Sequence, residues 1–148
     1  CGRPEIGSAG RRLQGYRDAL IQAGIGIDES LIVEGDFSTK TGYRSALQLL
    51  KQKNPPTAIF AANDQSAIGV YDAAEELGLK IPQDLSVVGF DNISEANYHG
   101  LTTVDQSLSE MGYIATQMLI RMVNKEVLEA QVHKVPTRLI IRSSCRAL

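Results

Sequence analysis

Apolar positions along the chain follow two periods, one typical of helices and one of buried strands. Apolar residues recur three and four positions apart in four segments, which predicts amphipathic helices at 8–24, 38–54, 64–78 and 107–126. Between and after them lie short runs that are apolar at most positions: SLIVEG, TAIFAA, LSVVGF, LTTV and RLII. Runs of this length that lack alternation are typical of strands buried on both faces of a parallel sheet.

Helices and strands that alternate in this way define the α/β class. We therefore predict a doubly wound parallel sheet, covered by helices on both faces and joined by right-handed crossovers. The expected helix boundaries fit this reading. Ser38 is a plausible N-cap, Gly24 and Gly26 follow the first helix, and Pro55 and Pro56 forbid continuation of the second.

Polar or aromatic side chains follow three of the predicted strands directly. Since open α/β sheets bind ligands beyond the carboxyl ends of their strands, these positions predict a binding site. Carboxylates and amides can hydrogen-bond the hydroxyls of a polyol, and an aromatic ring can cover the apolar face of a sugar or base. The three pairs are Asp36 with Phe37, Asn63 with Asp64, and Asp91 with Asn92.

Helix capping and turn formation are the better explanation of each of these pairs when it is taken alone. A capping side chain stabilises a helix by about 1 kcal/mol, and Asp and Asn are also common turn residues. The repetition at three successive strand ends is what favours a site.

Composition narrows the function classes. With 148 residues, 15 basic against 17 acidic side chains and a net charge of −2, the chain suits one domain with no general electrostatic attraction to nucleic acid. No apolar run is long enough to cross a membrane, and the first residues do not form a signal peptide. Cys1 and Cys145 are expected to be free thiols in a cytoplasmic protein, although a disulfide between them stays open.

Catalytic and cofactor signals are few. The chain has no glycine-rich phosphate loop, and His99 and His133 lack the spacing of metal ligands. We therefore expect a binding protein rather than an enzyme, with no catalytic residues, no metal and no cofactor. A phosphotransferase that holds Mg²⁺ on strand-end carboxylates is the enzymatic alternative.

Several longer motifs resemble one family. The segments RRLQGYRDAL, EGDFSTKTGY, PPTAIFAANDQSAIGVYDAAEELGLKIPQDLSVVGFDN, LTTVDQSLSEMG and PTRLIIRSS are similar to the effector-binding core of LacI/GalR-type transcription repressors. The resemblance covers nearly the whole chain, in order. It implies the fold of type I periplasmic binding proteins, in which two α/β subdomains hold a small ligand in the cleft between them.

The resemblance also implies roles for individual residues. The arginine of AGRRLQGY and the aromatic residue after EGD match Arg12 and Phe37, which would contact and stack on the effector. The aspartate of VVGFDN would bind two ligand hydroxyls. Asp64 is expected to cap its helix and to anchor the loop. The implied ligand-binding residues are Arg12, Phe37, Asn63, Asp91, Gln106 and, as a weaker assignment, Ser8.

The chain matches only part of that family's architecture. We expect residues 1–148 to form a partial effector-binding domain, with a C-terminal subdomain at 4–105 and 138–148. Residues 107–136 resemble the segment that crosses to the N-terminal subdomain, so the apolar face of its helix should lack its usual partner. We expect this helix to fold back, pair with another copy or be disordered, since leaving large apolar side chains in water is costly.

The implied partners follow from the family. They are a small-molecule effector, for which a carbohydrate is favoured and a purine is possible, and a second copy of the chain at a dimer interface that includes Ile68 and Tyr98. Operator DNA would be bound only through a helix-turn-helix domain outside this chain, and no membrane is involved. The alternative function is that of a secreted sugar-binding protein of an ABC-type transporter, which shares the fold.

Overall fold

The computed structural model describes residues 2, 7–127 and 132–147, so Cys1 and parts of the predicted domain boundaries lie outside the described residues. Its helices are α1 (Gly7–Gln22), α2 (Thr39–Leu50), α3 (Asp64–Glu76), α4 (Ser94–Tyr98) and α5 (Leu108–Val123), with a 3-10 turn at Glu29–Leu31. Its strands are β1 (Ala58–Phe60), β2 (Ser86–Asp91), β3 (Thr102–Asp105) and β4 (Arg138–Ile140).

The four strands form one sheet in the order β1-β2-β3-β4. β1, β2 and β3 run parallel, with Val87 beside Ile59 and Gly89 beside Thr103. β4 pairs antiparallel to β3, so the prediction of a parallel sheet is correct for three strands and wrong for the last. The α/β class is confirmed.

The core lies between the sheet and the pair α2 and α3. Ala67, Val70 and Ala74 of α3 are buried, as the helical period predicts, and Val87 and Leu101 are buried beneath them. α2 and α3 approach so closely that a Cβ added at Gly69 would overlap the Thr39 carbonyl oxygen. Ser38 caps α2 as predicted, with its hydroxyl accepting a hydrogen bond from Thr41 N at 3.2 Å.

The first predicted strand is wrong. Residues 30–35 form no strand in the described part of the chain, although Ile32 has extended dihedral angles. Instead a 3-10 turn begins at Glu29, because the Asp28 side chain accepts hydrogen bonds from both the N–H and the hydroxyl of Ser30. Local side-chain chemistry of this kind competes with a sheet ladder.

β1 is consequently the edge of the sheet rather than an interior strand. Ala58 and Phe60 are exposed, with Phe60 at 40%, so the prediction that both faces of this strand are buried is also wrong. A cavity of about 140 Å³ lies beside β1 and is lined mainly by apolar residues of α1, α2 and the 31–35 segment.

α5 stands apart from the core. None of its described side chains is buried, and Leu119 and Met122 are 60% and 59% exposed. Its apolar face is thus open to solvent among the described residues, and whether another copy or subdomain covers it stays a prediction. No helix among the described residues is both long enough and apolar enough to span a membrane.

Candidate functional site

The carboxyl ends of β1 and β2 carry the residues that the sequence singles out. Asp91 is the last residue of β2, and Asn63 lies just after β1. The backbone is unusual there, since Phe37, Asp91 and Asn92 have φ of 68°, 114° and 56°. Positive φ costs a residue other than glycine on the order of 1–3 kcal/mol and is often found at ligand sites. We call the carboxyl ends of β1 and β2, together with Phe37, the strand-end edge. Its backbone is thus held in a conformation that the local sequence does not favour.

Arg12 reaches this edge from α1. Its Nη1 donates to the Ala62 carbonyl at 2.8 Å, and its Nη2 lies 3.6 Å from Asp91 Oδ1. The guanidinium carbon lies 3.9 Å from the ring centroid of Phe90 and 5.9 Å from that of Phe37, within the range of cation–π attraction. Burial lowers the pKa of Arg12, and the Asp91 carboxylate partly offsets that effect.

Asp91 is held from the other side by Gln106. Gln106 Nε2 donates to Asp91 Oδ1 at 2.5 Å. Burial raises the pKa of Asp91, while Arg12 and this hydrogen bond act in the opposite direction. Within the described residues, the contacts of the Asp91 carboxylate with Arg12 and Gln106 both use Oδ1. Oδ2 is therefore available to accept a hydrogen bond from a bound molecule.

Asn63 performs the structural role that the alternative interpretation gave it. Its Oδ1 accepts from Ser66 N at 3.0 Å, which caps α3. Its Nδ2 donates to the Phe37 carbonyl at 3.0 Å and so ties the loop after β1 to the segment that precedes α2. Both polar atoms of the amide are engaged within the chain. The second N–H of Nδ2 has no hydrogen-bond partner among the described residues, so it can donate to a ligand while both of these bonds persist.

Asp64 is a buried anchor rather than a helix cap, so the expectation that it caps α3 is wrong. The side chain is 0% exposed. Oδ1 accepts from the Thr103 hydroxyl at 2.6 Å, and Oδ2 accepts from Ile93 N at 2.9 Å. Glycine is needed at position 89, because a Cβ there would overlap Asp64 Oδ1. The expectation that Asp64 fixes the loop is confirmed, and this loop is the one that carries Asp91.

The other predicted residues lie outside this cluster of contacts. The Asp36 carboxylate accepts from the N–H and hydroxyl of Ser38 and thereby supports the cap of α2. Ser8 lies half-buried in the first turn of α1. Ile68 is half-buried on α3, and Tyr98 is 88% exposed at the end of α4. No described contact links these three residues to the Arg12–Asp91 pair.

An open groove adjoins Asp91. It has a volume of about 550 Å³ and is lined by residues 91–94, 105, 107–110 and 138. The more enclosed cavity beside β1 is predominantly apolar, and among the described residues of its lining Arg12 alone is charged. A polar ligand requires converging hydrogen-bonding groups, so we place the candidate site at the polar edge. Among the described residues, no group of three or more His, Cys, Asp or Glu side chains could hold a metal ion.

Sequence reasoning missed two arginines that organise this edge. Arg138 donates from Nε and Nη2 to Asp105 Oδ2, each at 3.1 Å, at the point where β3 and β4 begin to pair. Arg142 donates to Asn92 Oδ1 at 2.7 Å from the segment after β4. The arginines of the RLIIR motif were read only as part of a strand. Their spacing of four would place both on one face of a strand, but it does not show where that face lies; only the antiparallel pairing of β4 with β3 brings them to the site.

The arrangement defines a class of protein. Parallel strands whose carboxyl ends present an aspartate, paired with an arginine from a helix and close to an aromatic ring, suit a small-molecule-binding α/β domain. A family model described as a periplasmic binding protein-like domain matches residues 1–145. The chain belongs to this family.

The relatives identify the branch of the family. The HTH-type transcriptional repressor PurR of Proteus mirabilis (strain HI4320) is 45% identical over 143 residues, which are 95% of this chain and 42% of that repressor. PurR of Escherichia coli O1:K1 / APEC is 44% identical over 136 residues, covering 90% and 40% of the two chains. This chain thus spans less than half the length of these curated relatives.

Solved structures agree with the sequence relatives. The Escherichia coli transcriptional repressor ascG has a TM-score of 0.89 and 34% identity, over 99% of this chain and 54% of that one. The complex of the transcriptional regulator CelR with cellobiose has a TM-score of 0.88 and 31% identity, over 97% and 45%. The resemblance to LacI-family regulators is confirmed, and these homologues are regulators rather than transport proteins.

Proposed function

We propose that this chain is the effector-sensing part of a cytoplasmic LacI-type transcriptional repressor. The observation that carries the proposal is the convergence of Arg12, Asp91 and Gln106 beside Phe37 at the strand ends. The effector binds there, in a cleft whose other wall is a second subdomain. On this proposal residues 4–105 and 138–148 form one subdomain, and 107–136 belong to the other.

A neutral, hydroxyl-rich molecule fits the charge of this edge best. Arg12 and Asp91 already neutralise each other, so an ion would leave one charge in excess. Asp91 Oδ2 can accept from a hydroxyl, and the Phe37 ring can cover an apolar sugar face. CelR binds cellobiose according to the name of its structure, which supports a carbohydrate. A purine is the second class, since a flat ring could also stack on Phe37.

The proposed mechanism is an allosteric switch. The effector favours one relative orientation of the two subdomains, and that orientation sets the spacing of two DNA-binding heads in a homodimer. Such coupling requires different effector affinities in the two states and is typically 1–3 kcal/mol. Ile68 and Tyr98 are proposed dimer contacts, because two-fold symmetry matches a palindromic operator.

A thermal-shift panel of sugars, sugar phosphates and purines on the intact regulator that carries this chain tests the proposal. A ligand at 100 times its Kd stabilises the folded protein by about 2.7 kcal/mol. The Asp91→Ala variant should lose the shift, whereas Asp72→Ala, which changes an exposed aspartate of α3, should keep it. A panel without any hit on the folded protein would contradict the sensing function for these classes.

A further inference from the structure

The loop after β2 holds the Asp91 carboxylate through an unfavourable backbone conformation. Asp91 and Asn92 are consecutive residues with positive φ, a region that L side chains rarely adopt. Such a pair persists only where neighbouring groups fix the backbone. Asp64 fixes the far side of the loop through its bond to Ile93 N. Asn92, the residue between Asp91 and Ile93, is held through its side chain by a second group.

Arg142 supplies that second group. Its Nη2 donates to Asn92 Oδ1 at 2.7 Å and to Asn97 Oδ1 at 2.5 Å, and its Nη1 donates to the Leu101 carbonyl at 2.6 Å. Its backbone N–H donates to Thr102 Oγ1 at 3.0 Å, which fixes the base of the side chain on β3. One guanidinium thus joins the loop after β2, the end of α4 and the start of β3.

The acceptors around Arg142 are all neutral. In the described part of the chain, the salt bridges of the arginines involve residues 12, 17, 121 and 138, and Arg142 takes part in none. Charge neutralisation is therefore not its role here. The guanidinium offers donors in fixed directions, which a lysine ammonium does not, and this suits it to set the position of a loop.

We propose that Arg142 is a positioning residue for the effector site, acting through Asn92 to hold Asp91 where its carboxylate meets Arg12 and Gln106. This inference rests on the proposed effector function for its biological meaning. Its structural content is independent of any ligand: the bond between Gln106 and Asp91 depends on a contact between Arg142 and Asn92 on the other side of the loop.

The first test follows the side-chain amide signal of Gln106 by NMR in the full chain. Arg142→Gln and Asn92→Gly are compared singly and together, since glycine keeps the positive φ while removing the amide. Each single variant should move the Gln106 signal towards that of a solvated glutamine, and the double variant should move it no further. Arg146→Gln, at an exposed arginine four residues away, should leave the signal unchanged.

The second test measures binding of cellobiose and hypoxanthine, as probes of the two ligand classes, to the intact regulator. For a probe that binds the wild type, each single variant should weaken binding about tenfold, and the double variant no more than either one. Additive losses that reach about a hundredfold would overturn the proposal, because Arg142 would then act through Asn97 or Leu101 instead.

The two tests separate the failure of this inference from failure of the proposed function. If neither probe binds the wild type, sensing of these compounds fails, and the Gln106 signal still decides the positioning role. An unmoved Gln106 signal in Arg142→Gln overturns the inference. If Arg142→Gln does not fold, Asn92→Gly decides alone, and an unmoved signal there overturns the inference equally.

Discussion

The sequence pattern singles out both the strand-end edge and α5, but their side chains have opposite environments in the structure. At the edge, Asp64, Asn63 and Asp91 each contact groups from distant parts of the chain. In α5, the apolar stripe from Leu108 to Met122 has the same helical period as α3, yet no described side chain of α5 is buried. The edge is held by contacts within this chain, whereas the α5 stripe has no partner surface among the described residues.

This difference shows what the spacing of apolar residues along a helix can predict and what it cannot. A stripe of apolar residues determines which face of a helix avoids water, but it carries no information about the partner. The α3 stripe meets β2 and α2, whereas the α5 stripe meets no buried surface among the described residues. The number of large side chains left open in α5 is unusual for an isolated monomer and fits an interface.

The largest expected effect separates the two regions directly. Leu101→Ala removes a fully buried side chain and should lower the free energy of unfolding by about 2–5 kcal/mol. Leu119→Ala in α5, where the side chain is 60% exposed, should change it by less than about 0.5 kcal/mol. Urea denaturation of the full chain measures both. A large loss at Leu119 would mean that α5 packs on this chain in solution.

A smaller effect is expected at the helix cap. Asn63→Ala should cost about 1 kcal/mol of stability, because Ser66 N loses its acceptor. Asn63→Asp is the matched control, since it keeps the capping oxygen but loses the donor to the Phe37 carbonyl. Thermal denaturation should therefore rank Asn63→Asp close to the wild type. An equal loss in both variants would show that the tie to Phe37, rather than the cap, stabilises this turn.

The smallest effects concern Asp91 and Asp105, which lie side by side in the β2–β3 ladder. Burial raises the pKa of Asp91, so the folded chain binds this proton more tightly than the unfolded chain does. The ionised carboxylate thus opposes folding above its raised pKa, and the penalty is absent below the ordinary value of about 3.9. Asp91→Asn should be more stable than the wild type at pH 7, and the difference should vanish towards pH 3.

The pKa of Asp105 is shifted in the opposite direction from that of Asp91. The backbone N–H of Ser107, with help from Arg138, lowers the pKa of Asp105, so its ionised form supports folding. Asp105→Asn should therefore be less stable than the wild type at pH 7, and this loss should disappear as the pH falls through the lowered pKa. Denaturation curves between pH 3 and pH 7 measure both variants. Parallel pH profiles would contradict the assigned causes.

Much of the fold could be predicted because period and capping act locally. The segments of α1, α2, α3 and α5, the three parallel strands and the Ser38 cap all follow from residues close in sequence. The failures at 30–35 and at β4 have a common origin. Strand pairing depends on which distant segment lies alongside, and neither the turn at Asp28 nor the antiparallel return of β4 is specified by the apolar run itself.

The candidate site was predictable in part for the same reason. The rule that ligands bind at strand ends led to Phe37, Asn63 and Asp91, and the family resemblance added Arg12 and Gln106. The partners of Asp64 and the role of Arg142 could not be read from the sequence, because the residues they contact lie between 29 and 50 positions away. The residues next to Asp64 in the sequence do not show whether its side chain caps a helix or is buried against distant partners.

The measurement that tests the proposed sensing site most directly is a crystal structure of the intact regulator with a ligand from the thermal-shift panel. A ligand at the strand-end edge should have polar atoms within about 3.2 Å of both Arg12 and Asp91, with a ring face on Phe37. A ligand seated instead in the apolar cavity between α1 and α2, without contact to Asp91, would contradict the proposed site.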